Sequence, residues 1–191
     1  MRDEFDFARA QEYSLLSALL LRSPDAQMLA RLANLAGDAS PLGLAHTALG
    51  EAAARTDAAS VAREHLCLFT GLGRGELLPY ASYYLTGFLH GRPLADLRQT
   101  LRRIGVERLD GQSEPEDHAA ILLEIMAGLA SGTIPAPAGT DRAIFDDHLA
   151  PWIVRFFADL EKATSADFYT RVGTLGRTFV EIERQCFLLP R

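Results

Sequence analysis

The spacing of apolar residues near the N-terminus constrains the fold most strongly. Phe7, Ala10, Tyr13, Leu16 and Leu20 recur at steps of three and four, the period at which side chains share one face of an α-helix. Strand-like alternation is almost absent along the chain, so apolar surface must be buried helix against helix. Ser23-Pro24 ends this run and starts another through Met28, Leu29, Leu32 and Leu35, with Gly37 as the expected C-terminal cap. An Ala-rich stretch from about Pro41 to Arg55 continues the pattern, and Val61 to Phe69 reads as a further helix.

Glycine and proline divide the rest of the chain. GLGRGELLPY, residues 71–80, places three glycines and a proline in ten positions and reads as a loop. Helices are expected over Ser82 to His90 and Leu94 to Ile104, separated by Gly91-Arg92-Pro93. In SEPEDHAAILLEIMAGLASG, Ser113 and Glu116 have capping-box spacing and Pro115 falls in the predicted first helical turn. The Pro/Gly segment GTIPAPAG precedes a short helix around Asp141 to Leu149 and two longer ones from Pro151 and Ser165 onward. The expectation is an all-α, single-domain irregular bundle of about nine or ten helices over residues 1–191, with a candidate hinge at 132–140.

Composition limits the partners. With 48% hydrophobic and 23% charged residues the chain belongs with folded globular proteins, not disordered ones. A net charge of −6, without a Lys/Arg stripe, argues against nucleic acid. Cys67 and Cys186 form no CxxC pair, zinc spacing or disulfide framework, which suits a reducing compartment. Acids precede the first apolar run, the wrong flank for a secretory signal, and the run is too short to insert stably in a membrane. A cytoplasmic location is expected.

The densest chemistry lies at Glu114-Pro115-Glu116-Asp117-His118. Acids at a helix start can simply complement its dipole. Asp117 and His118, however, lie three or four residues before Ile121 and Leu122 and extend that apolar stripe to the edge of the core. A carboxylate there must be paired or hydrogen-bonded, so it either ties two helices together or awaits a cationic ligand such as an arginine. The GxGxG run at 71–75 follows a helix and lacks the Gly-Lys-Ser/Thr of a phosphate loop. His46, His65 and His90 are isolated, and no nucleophile elbow is present. No cofactor, metal site or catalytic residue is therefore expected.

Three blocks, LCLFTGLGRGELLPYASYYL, EPEDH at 114–118 and FDDHLAPW at 145–152, together resemble the TorD-like redox-enzyme maturation chaperones over roughly residues 60–160. Members of that family serve dimethyl sulfoxide, trimethylamine oxide, nitrate and formate enzymes. EPEDH resembles the family's Glu-Pro-x-Asp-His signature. The resemblance implies a chaperone, not an enzyme, that binds a molybdoenzyme catalytic subunit or its twin-arginine signal peptide before export. It implies that Glu114, Pro115, Asp117 and His118 contribute to that site, with Pro79, Tyr80 and Trp152 beside them. It also implies a monomer or a dimer formed by exchange of helices, for which the Pro/Gly linker is the candidate hinge. Two rivals predict different behaviour: a structural adaptor whose EPEDH turn only caps a helix, and an all-helical enzyme using Asp117 and His118 as base and acid.

Overall fold

The computed structural model describes residues 4–71, 74–107 and 114–189. Among these residues it contains ten α-helices, two π-helical turns and no strand. The helices are α1 (Glu4–Leu21), α2 (Ala26–Leu32), α3 (Pro41–Ala54), α4 (Ala58–His65), α5 (Ala81–Thr86), α6 (Arg92–Arg103), α7 (Ala119–Ser131), α8 (Thr140–Ile144), α9 (Ile153–Lys162) and α10 (Phe168–Leu188). The π-turns are Leu66–Thr70 after α4 and Phe145–Leu149 after α8. The all-α expectation holds.

The helices group into two compact units, residues 1–21 with 79–153 and residues 22–78 with 154–191. In the first, α7 is the central element. Apart from Glu124 and Ser131 its sequence is apolar, and eleven of its thirteen residues are buried. Helix α1 lies along it with Tyr13, Leu16 and Leu20 inward, and the Ser17 hydroxyl donates to the Ala120 carbonyl at 2.8 Å. Phe7, expected at the head of this stripe, is 53% exposed. The inward position near it is taken by Arg9, whose buried guanidinium is held by Asp6 at 3.2 Å and Asp141 at 3.3 Å.

In the second unit α10 packs on α3 and α4. Asp25 and Ser40 cap α2 and α3 through the Met28 and Gly43 amides. Helix α2 stops at Leu32, so Gly37 is not its cap. Gly37 marks a crossing instead: a Cβ there would overlap the backbone of Gly43. The start of α10 is satisfied from a distance. The Glu64 carboxylate on α4 accepts the amides of Asp167, Phe168 and Tyr169 at 2.8, 3.2 and 2.6 Å. Glu76 accepts those of Thr164 and Ser165 at 2.6 and 2.9 Å.

Candidate functional site

The EPEDH segment is not the first turn of a helix. Helix α7 begins at Ala119, and His118 is its N-cap in extended conformation, with Nδ1 accepting the Ala120 amide at 3.1 Å. Ser113, the other half of the expected capping box, lies outside the described residues. The Glu114-Pro115 step already disfavours helix at Glu114, and pairing with Tyr80 draws the end of the segment straight. Tyr80 and His118 form an antiparallel bridge, the Ala81 amide donates to the Asp117 carbonyl at 2.9 Å, and the Ala119 amide to the Pro79 carbonyl at 2.7 Å. Two segments more than thirty residues apart are thereby clamped at the starts of α5 and α7.

Asp117 closes the clamp. Helix α5 has no side-chain cap of its own, because Tyr80 stands at that position. The Asp117 Oδ2 accepts the Ser82 amide at 2.9 Å instead. Asp117 is 1% exposed, and its Oδ1 is buried without a hydrogen-bond partner. Of the two roles open from spacing, the geometry supplies the tie between helices. Sequence reasoning missed Ser82, since nothing in its local pattern indicates a cap donated from residue 117.

The more accessible carboxylates belong to Glu114 and Glu116. The Tyr80 hydroxyl donates to Glu114 Oε2 at 2.6 Å. Burial, that bond and the charges of Glu114 and Asp117 push Tyr80's ionisation well above the usual phenol range, so it remains a donor. Its ring lies edge-on to His118, centroids 5.1 Å apart. Glu116 accepts Arg98 Nε at 2.9 Å, and Arg98 Nη2 lies 2.8 Å from the same oxygen. That bond, supported by the charges of Glu116 and Asp117, raises the guanidinium's hold on its proton. Pro79, Tyr80, Glu114, Pro115, Asp117 and His118 are thus brought together, with Glu116 and Arg98 added.

Trp152 stands elsewhere in the same unit. It is 2% exposed, its indole donates to the His148 carbonyl at 2.8 Å, and its ring lies 5.6 Å from that of Tyr84. Its hydrogen-bond partner His148 lines a cleft of about 420 Å³ walled by α5, α6 and the 145–149 turn, with Leu85, Pro93, Leu97, Asp96 and Asp147 also in its lining. His148 Nε2 is 2.9 Å from Thr100 Oγ1. Burial lowers the affinity of His148 for a proton, against the opposing pull of Asp147 and Asp96. Leu85 in the last turn of α5, and Phe88 and Leu89 just beyond it, are 45%, 76% and 44% exposed. The helix expected to reach His90 stops at Thr86, because Gly87 turns left-handed and His90 also has positive φ. Chemically this unit offers carboxylates for cations on the 114–118 turn and exposed apolar side chains at the end of α5. No described group of residues has the geometry of a metal site, and no described helix is long and apolar enough to cross a membrane.

Comparison with known proteins agrees with this architecture. The nitrate reductase delta subunit family model matches residues 35–158. The chain is 28% identical over 200 residues to the chaperone protein TorD of Vibrio cholerae serotype O1, strain O395, covering 93% of this chain and 91% of that protein. It is 31% identical over 140 residues to the TorD of Vibrio vulnificus, 65% of each chain. A crystal structure from Archaeoglobus fulgidus, of a protein assigned to redox enzyme maturation, superposes with a TM-score of 0.61 at 20% identity, covering 91% of this chain and 93% of that one. With more than half its length matched by the family model and its fold shared with a maturation protein, the chain belongs to the nitrate reductase delta subunit family of TorD-like redox-enzyme maturation chaperones, which are not enzymes.

Proposed function

We propose that this chaperone binds the twin-arginine signal peptide of a molybdenum-cofactor oxidoreductase subunit in the cytoplasm, through the 114–118 turn and the exposed apolar side chains at the end of α5. Binding would hold the client back until its cofactor is inserted, and the chain would act as one chaperone domain over residues 1–191. The carrying observation is the placement of Glu114 and Glu116 on a turn hydrogen-bonded to Tyr80 and Ser82. Fixed carboxylates receive guanidinium groups through strong charge-assisted bonds. Leu85, Phe88 and Leu89 offer contact for the apolar stretch of the peptide beyond its arginines. Pro115 and Pro79 hold the backbone of the two facing segments, while Asp117 and His118 support the turn from inside.

Calorimetric titration with such peptides tests the proposal. Micromolar affinity, about −8 kcal/mol, is expected in the parent, with a loss of tenfold or more in Glu114→Gln/Glu116→Gln. Absence of binding in a folded parent protein refutes it. A structural adaptor is the second reading, favoured by the burial of Asp117 and His118. It predicts that the double variant leaves assembly with a mature client subunit unchanged. The 132–140 segment between α7 and α8 is the proposed hinge for a helix-exchanged dimer, and light scattering after its shortening tests that role.

A further inference from the structure

We propose that Arg98 is an internal stand-in for a client arginine: its guanidinium sits on the Glu116 carboxylate, and a client peptide must displace it to occupy the acidic turn. The inference rests on the reading of residues 114–118 as the arginine-binding site.

Geometry, exposure and charge each support it. Arg98 Nε and Nη2 lie 2.9 and 2.8 Å from one oxygen, Glu116 Oε2. The contact is therefore not the two-oxygen fork that an unconstrained guanidinium makes with a carboxylate. The Glu116 side chain is 13% exposed whereas that of Arg98 is 43% exposed. The acid is built into the clamped turn, while the base reaches it from α6 with its outer surface in water. Asp117 is the next residue, buried and with Oδ1 unpartnered, so negative charge is concentrated behind the contact. A guanidinium already stands where the proposed function requires one.

Pairs with a solvent-exposed partner are weak, so Arg98 exchanges with a client and does not lock the site. While it is seated, the fraction of molecules open to the peptide falls, and the apparent Kd rises by the inverse of that fraction. For a pair of ordinary surface strength the factor is about two- to sixfold.

The experiment is calorimetric titration of a synthetic twin-arginine signal peptide into the full-length parent, Arg98→Gln and Arg102→Gln proteins. Arg102 is the control for net charge: it lies one turn along α6, carries the same charge, and donates to the Arg98 carbonyl instead of to Glu116. Arg98→Gln is expected to bind about two- to sixfold more tightly, and Arg102→Gln to change by less than about twofold. Equal tightening in both variants, or none in Arg98→Gln, overturns the inference while leaving the peptide-binding reading intact. No binding by the parent overturns both. Thermal melts establish that the variants fold. If Arg98→Gln does not fold, Arg98→Met, which keeps an aliphatic stem but carries no charge to place on Glu116, replaces it and must also bind more tightly.

Discussion

Replacing Asp117 with alanine removes the acceptor of the Ser82 amide at the start of α5 while leaving that amide buried. A buried donor stripped of its partner costs about 1–3 kcal/mol, and loss of an N-cap about 0.5–2 kcal/mol. These figures describe one bond, so they are alternatives and are not summed. The unpartnered Oδ1 works the other way, because alanine also relieves the burial of an incompletely solvated carboxylate. The net expectation is a loss of about 2 kcal/mol, or about 4–8 °C in melting temperature for a chain of this size. Asp117→Asn retains an acceptor for Ser82 and should lose less than about 1 kcal/mol. Urea unfolding followed by far-UV circular dichroism measures both, and hydrogen exchange at Ser82 reports the bond directly. An alanine variant with the parent's urea midpoint, or an asparagine variant as unstable as alanine, would refute the clamp. The result also bears on any peptide-binding assay, since lost affinity in Asp117→Ala is expected from a loosened turn without any contact to ligand.

Three other perturbations test the framework. Glu64→Ala leaves three amides at the head of α10 without their shared acceptor. It should lower stability by about 1–3 kcal/mol in urea titration, with exchange protection lost first at residues 167–169. Gly176→Ala would drive a methyl into the buried Phe157 ring, and overpacking of this kind should cost about 1–3 kcal/mol by thermal melt. His148 binds its proton more weakly in the folded chain than in the unfolded one, chiefly through burial. Its stabilising contribution is therefore full above about pH 6.5 and is lost as pH falls through its lower folded value. His148→Gln should flatten that part of the stability profile, measured by urea midpoints at a series of pH values.

Much of the helical framework follows from local signals. Ser40 followed by Pro41 starts α3, Asp25 starts α2, and the apolar period of α1 buries Tyr13, Leu16 and Leu20, because caps and periodicity act over one or two turns. The continuous apolar run after His118 likewise specified a buried helix, and EPEDH marked where the unusual chemistry would lie. Tertiary structure decided what those residues do. Phe7 keeps the helical period yet faces outward, and Gly37 serves a backbone crossing instead of a helix end. Pairing with Tyr80 removes residues 114–118 from helical conformation, which turns Asp117 from a dipole-facing acid into the cap of a helix 35 residues away in sequence. Glu64 performs the same service for α10 from over a hundred residues away. An amide at a helix start requires an acceptor, but the requirement does not name one. Local sequence settles the choice when the acceptor is a near neighbour; when it is remote, only the folded chain brings donor and acceptor within 3 Å of each other.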